Sequence, residues 1–126
     1  MEKPKPFDFH TIVAILNDNE LIANIEKILI DEIVQRGFYK IKCRLIPSKY
    51  KLEMKFIKTR LEFIYSYQLF TTESIARWDN EPHFPFIRSF PHHFHDADGD
   101  VLESDLTGDW ERDLRSVLSK IKEYLI

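Results

Sequence analysis

Along the middle of the chain, apolar and polar residues alternate with a period of two. In residues 38–46, Tyr39, Ile41, Cys43 and Leu45 fall on one side, and Lys40, Lys42 and Arg44 on the other. Residues 51–57 repeat the arrangement, with Leu52, Met54 and Phe56 against Lys51, Glu53 and Lys55. Successive side chains of a strand point to opposite faces, so each segment predicts a strand with one buried and one basic face. Pro47-Ser48-Lys49-Tyr50 suits a tight connection between them, and the pair reads as a hairpin. A third strand is predicted over residues 61–70, where Leu61, Phe63, Tyr65, Tyr67 and Leu69 share a phase. Residues 74–80 and 86–95 are shorter strand candidates, which Pro82, Pro85 and Pro91 restrict to edges, ends or bulges.

The chain ends change period. Trp110, Leu114, Val117, Leu118, Ile121 and Leu125 form one apolar stripe at helical spacing. Thr107 or Asp109 can cap that helix, Glu111 and Asp113 suit its first turn, and Lys120 and Lys122 its last. Near the N-terminus, Asn17-Asp18-Asn19-Glu20 resembles a capping box, followed by helical spacing at Leu21, Ile25, Ile28 and Leu29. Residues 27–35 are nevertheless rich in Ile and Val. The expectation is a helix to about residue 23 and a strand to about residue 35, with one long helix ending at Gly37 as the alternative. Contiguous strands joined by short turns exclude a parallel sheet. The fold class is therefore α+β: an antiparallel meander of four to six strands, with an N-terminal helix and a C-terminal helix packed on it. Residues 1–126 read as one domain, of which residues 1–6, charged and proline-bearing, are expected to be flexible.

Composition changes this picture little and charge changes it more. With 44% hydrophobic and 31% charged residues, the chain is globular and not disordered. No stretch approaches the roughly 20 apolar residues of a membrane span, and no apolar run follows the charged N-terminus, so a soluble cytoplasmic protein is expected. Cys43 is the only cysteine, lies on the apolar phase of its strand, and reads as packing. The net charge of −3 argues against an indiscriminate nucleic-acid binder, but the charges are segregated. Residues 36–60 hold nine Lys/Arg against one acid, and residues 95–113 hold eight Asp/Glu against one base. Lys40, Lys42 and Arg44 could hold single-stranded RNA, with Tyr65 and Tyr67 as stacking surfaces, or simply form a solvated sheet face, and the two tyrosines taken alone read as core because they continue the phase of Leu61 and Phe63. The acidic stretch reads as a solvated loop and helix start.

The chemistry concentrates in residues 77–95, which contain four of the five histidines. In an extended chain Arg77 and Asp79 share one face while Trp78 and Asn80 share the other. His93 and His95 likewise share a face that His92 opposes. One reading is metal-free phosphodiester cleavage. A neutral His takes the proton of a ribose 2′-hydroxyl, a protonated His supplies one to the leaving oxygen, Arg77 or Arg88 stabilises the phosphate, and Asp79 orients a histidine. His83, His92, His93 and His95 are the candidate acids and bases, with Asn80 a further substrate contact. A second reading is a zinc site from Asp79, His83, His93 and His95, although the spacing matches no specific metal signature. A third is structural: a tied-down turn with histidines along an exposed edge.

Three motifs together carry a resemblance. Tyr65-Ser66-Tyr67, then Arg77-Trp78-Asp79-Asn80-Glu81-Pro82-His83, then Phe90-Pro91-His92-His93-Phe94-His95, resemble the TumE toxin family in order and spacing from about residue 40 to the C-terminus. The chain departs from that family at Phe94, where a basic residue is usual, and at Phe70-Thr71-Thr72-Glu73, where the family has an Asp- and Gly-rich turn. The N-terminal third carries none of the resemblance. The family implies a small α+β toxin encoded beside an antitoxin, often of helix-turn-helix type. With the residue reading, this suggests a ribonuclease that needs no metal or other cofactor. The alternatives are a non-catalytic protein that blocks a cellular target and a metal-dependent hydrolase. Expected partners are the antitoxin, on residues 77–95 or the basic hairpin, and RNA, with a second copy of the chain to be tested; no membrane is expected.

Overall fold

The computed structural model describes residues 5–125, so most of the stretch expected to be flexible, residues 1–4, lies outside the described residues. Helix α1 (Phe9–Asn17) is followed by seven strands: β1 (Ile22–Ile33), β2 (Arg36–Leu45), β3 (Lys51–Lys58), β4 (Phe63–Phe70), β5 (Ser74–Asp79), β6 (His93–His95) and β7 (Val101–Glu103). Helix α2 (Trp110–Ile121) and a short 3₁₀ turn (Lys122–Tyr124) close the chain. The strands form one sheet in sequence order, each pairing antiparallel with the next. This is the meander expected, with one strand more than the upper limit. The extra strand, β7, is three residues long and too short for a period to register.

Pleating separates two faces. Tyr39, Ile41, Cys43 and Leu45 of β2 lie beside Leu52, Met54 and Phe56 of β3, and the apolar row continues through Tyr65, Tyr67 and Leu69 of β4. Both helices cover this face with Phe9, Ile12 and Leu16 from α1 and Leu114, Val117, Leu118 and Ile121 from α2. Burial pushes the Cys43 thiol up to about 12, so it packs as a small apolar group and is not a nucleophile. Tyr65 and Tyr67 belong to this core, and burial drives their hydroxyls far above the usual range. They offer no stacking strip to RNA, because the phase they share with Leu69 points to the helices and not to the basic face.

Three boundaries differ from expectation. Helix α1 starts at Asp8, whose carboxylate accepts from His10 N and Thr11 N, and it ends at Asn17. The residues read as a capping box instead form its exit, with the Asn19 side chain accepting from Leu21 N at 2.9 Å. Short polar side chains serve both ends of a turn, and here the turn leads into a strand. Strand β4 starts at Phe63 because Thr59 N donates to Glu62 O and Thr59 Oγ accepts from Leu61 N and Glu62 N, which closes a turn. In residues 86–95 only His93–His95 is a strand, since the preceding proline-bearing residues turn back on themselves.

Asp113 was read as a first-turn charge but does more. It is buried, and its carboxylate accepts from Thr107 N (2.9 Å), Thr107 Oγ (3.1 Å) and Gly108 N (2.7 Å), fastening the loop that enters α2. Gly108, with φ of 90°, supplies the left-handed turn that directs its N–H to the carboxylate. Bonds to a buried charge exceed ordinary ones, so Asp113→Asn is expected to lower the unfolding free energy by about 2 kcal/mol in urea titration.

Candidate functional site

On the face away from the helices, the strand register lines up polar residues in rows. One row runs Lys40, Lys55, Ser66, Asp79, His93 from β2 to β6. The next runs Lys42, Glu53, Gln68, Arg77, His95. The sheet therefore joins the basic hairpin and the histidine segment on one surface. With strands about 4.8 Å apart, Lys40 lies about 14 Å from Asp79 along its row. Glu53 sits between Lys40 (3.6 Å) and Lys55 (3.7 Å), Arg44 Nε donates to Asn24 Oδ1 (2.9 Å), and Lys42 reaches over the Phe70 ring. A shallow cavity of about 110 Å³ opens between the basic residues and the cluster, lined by Lys55, Ser66, Gln68, Arg77 and Glu81 among others.

Asp79 is the centre of the cluster. It is 1% exposed, and its neighbour His93 is 2% exposed. His93 Nε2 lies 2.8 Å from Asp79 Oδ1, and His93 Nδ1 lies 3.1 Å from the Pro91 carbonyl. Both ring nitrogens thus face acceptors, which fixes the orientation of the ring between the Asp79 carboxylate and the Pro91 carbonyl. Glu81 N donates to Asp79 Oδ1 at 3.1 Å. The second oxygen, Oδ2, has Arg77 Nε at 3.0 Å and His95 Nε2 at 3.4 Å. The Arg77 approach is close but off the axis of a hydrogen bond, which leaves Arg77 Nε and Asp79 Oδ2 without a directed partner. It is a Coulombic contact, leaving the guanidinium its other N–H groups.

His95 differs from His93 in being partly open to solvent. Burial lowers its pKa from the ordinary 6.5, Asp79 opposes this, and His93 and Arg77 add to the lowering. A partly open imidazole with a lowered pKa thus stands beside the buried Asp79–His93 pair. Phe84 lies across both histidines, its ring centroid 4.8 Å from that of His93 and 5.8 Å from that of His95.

The remaining candidates lie apart. His92 faces the helices, where its Nδ1 is 2.6 Å from the Tyr65 hydroxyl and burial lowers its pKa. Asn80 turns off the end of β5, donating to Phe63 O (2.8 Å) and accepting from Tyr65 N (2.9 Å), so its amide ties β4 to β5. His83 is exposed in the loop before β6, 3.0 Å from Glu81. Arg88 is exposed and lies 3.8 Å from Glu103. Phe84, Glu81 and the Pro91 carbonyl escaped sequence reading. Backbone groups carry no residue signature, and nothing local marks a loop aromatic as a cover.

Asp79, His93 and His95 offer ligand atoms within 4.8 Å of one another, a spacing that a cation could draw together. Ligand atoms around tetrahedral zinc stand about 3.3 Å apart at bonds of about 2.0 Å. The 2.8 Å between Asp79 and His93 is a hydrogen-bond distance, and Arg77 already neutralises the carboxylate. The arrangement can pass protons, and the same three side chains could hold a cation.

Among the described residues, no helix is long and apolar enough to cross a membrane. No curated protein and no solved structure matches the chain significantly. A family model described as Toxin TumE matches residues 15–125. That span takes in the N-terminal third, whose β1 and the end of α1 had shown no resemblance. The chain belongs to the TumE toxin family and is the toxin component of a toxin–antitoxin system, with an antitoxin as its partner.

Proposed function

We propose that the toxin is a metal-independent ribonuclease whose chemistry is carried by His95, Arg77 and the Asp79–His93 pair. The observation that supports this most is a partly open histidine beside an arginine, both held close to one buried carboxylate. In this reading His95 takes the proton of the ribose 2′-hydroxyl. The resulting alkoxide attacks the adjacent phosphorus, forming a 2′,3′-cyclic phosphate and expelling the 5′-oxygen. Arg77 stabilises the charge gathering on the phosphoryl oxygens with the N–H groups it does not share with Asp79. A solvent water protonates the leaving oxygen. His93 is too buried to touch substrate and acts as a positioning residue, holding Asp79 and through it Arg77 and His95.

RNA lies along the open face in this reading, its phosphates near Lys40, Lys42 and Lys55. Phe86, 80% exposed in the loop before β6, takes the stacking role that Tyr65 and Tyr67 cannot fill. The antitoxin neutralises the toxin by covering this same face. In a toxin–antitoxin complex, Arg77, His95 and Lys55 should therefore lose solvent exchange or chemical reactivity, and a complex leaving all three unchanged contradicts this part of the proposal.

The deciding experiment incubates purified protein with total cellular RNA, with and without chelator, beside His95→Ala. Discrete fragments that survive chelator and vanish in the variant are expected. Intact RNA from a preparation that remains toxic in cells would end the ribonuclease reading in favour of a protein that blocks its target. His95→Ala should keep its stability within about 1 kcal/mol because the ring is partly open. By contrast, Asp79→Ala leaves the buried His93 Nε2 without its acceptor and should cost about 2–3 kcal/mol in chemical denaturation.

The pH dependence has a definite sign. A general base must be neutral to accept a proton, so cleavage is fully present above the pKa of His95 and is lost as pH falls through it. That pKa is lowered by burial. The acidic limb of the rate profile should accordingly have its midpoint below 6.5, the ordinary histidine value. A midpoint at or above that value assigns the base to another group.

A further inference from the structure

The two edges of the sheet are built differently. β7 ends one side with three residues, a length that offers little to a foreign strand. β1 ends the other side with twelve residues and pairs only with β2. Its outer part is apolar and open: Ile28 is 46% exposed, Leu29 39% and Ile30 48%. No proline interrupts β1, and its two irregularities, between Ile22 and Asn24 and between Ile25 and Lys27, precede this stretch. Residues 27–31 are therefore a run in regular register with β2 whose outer side has no strand partner among the described residues, with apolar side chains on both faces.

We propose that this edge joins two copies of the chain, with β1 pairing antiparallel to β1 of its partner about a twofold axis beside Leu29. The proposal is independent of the chemistry assigned to Asp79 and His95. In this register Leu29 faces its symmetry mate, and Ile28 faces Ile30 on the helix side of the sheet. Lys27 faces Asp31 on the open side, twice by symmetry, so the only charges within the paired run are opposite in sign. Outside it, Glu26 is turned away to Lys51 at 2.6 Å. Cross-strand pairs of apolar and of oppositely charged residues each stabilise a ladder, and like charges directly opposite destabilise it. Moving the register by two residues in either direction removes the Lys27–Asp31 match. The edge is complementary to itself in one alignment, as an isologous interface requires. It also makes the two open faces continuous, because an axis perpendicular to the sheet keeps each face on its own side.

The test is sedimentation velocity on the full chain over a range from low to high micromolar, with charge variants at two exposed positions. The unaltered chain should show a concentration-dependent dimer. Lys27→Asp alone and Asp31→Lys alone each place like charges opposite one another twice, and each should weaken the dimer roughly tenfold or more. The double exchange in one chain should restore it. Mixing the two single variants should give a heterodimer, because one then presents two acids and the other two bases. A chain that stays monomeric throughout, or that pairs β1 only with antitoxin, overturns the proposal. A dimer indifferent to all these substitutions places the interface elsewhere. Single variants that weaken it without rescue by either combination refute the register. Circular dichroism of each variant separates these outcomes from misfolding.

Discussion

Asp79 is a carboxylate with almost no access to water, and burying such a charge is costly unless its neighbours compensate it. The compensation comes from three places. His93 and His95 approach from β6, Arg77 approaches from its own strand, and the backbone of Glu81 closes over it from the loop. Nearly every distinctive feature of this end of the molecule answers that need. β6 must pair with β5 in the one register that puts His93 opposite Asp79 and His95 opposite Arg77. The loop between the strands must then return far enough for the Pro91 carbonyl to hold the back of the His93 ring. With His93 fixed against Asp79, His95 is left at the open end of the cluster, where burial, His93 and Arg77 together lower its pKa.

The same pleat that builds the core also assembles the site. Alternation sends Tyr65, Tyr67 and Trp78 to the helices and leaves Ser66, Gln68, Arg77 and Asp79 on the other side. Shifting any strand by one residue would exchange these sets and bury the arginine. The apolar face thus fixes the register, and the register brings together side chains from four strands that are distant in sequence. Asn80 and Asp113 help at its margins by tying a loop or strand end to fixed backbone groups.

Much of this was legible in residue order because sheet faces have a strict period. The basic and apolar sides of β2 and β3, the shared face of Arg77 and Asp79, and the shared face of His93 and His95 all follow from counting by two. The stripe of α2 was equally plain. Period also placed Tyr65 and Tyr67, whose phase with Leu61 and Phe63 is that of the core, opposite the lysines of the open face. What period could not supply was which partner each side chain finds. His92 sits beside His93 in sequence and across the sheet from it in space. At the N-terminus, the polar cluster of residues 17–20 fits the start of a helix and its exit alike. The choice went to β1 because β2 offered a partner for an Ile-rich segment.

The order of strands sets how association and chemistry relate. In a meander, the first strand is as far as the sheet permits from the last, so an edge used for pairing and a cluster built on β5 and β6 cannot interfere. In a dimer joined through β1, nine strand steps separate one Asp79 from the other, about 43 Å before twist is considered. Neither copy can lend the other a side chain for chemistry, and each cluster is complete in its own chain. What pairing alters is the floor between them: Lys27, Lys42 and Arg44 lie on the side of the sheet nearest the axis, and joining two copies doubles that basic surface without a break. A longer positive surface strengthens and orients a polyanion without changing the rate constant at either end. An edge open to pairing and the polar cluster are thereby placed in separate parts of the sequence, the first in residues 27–31 and the second in residues 77–95.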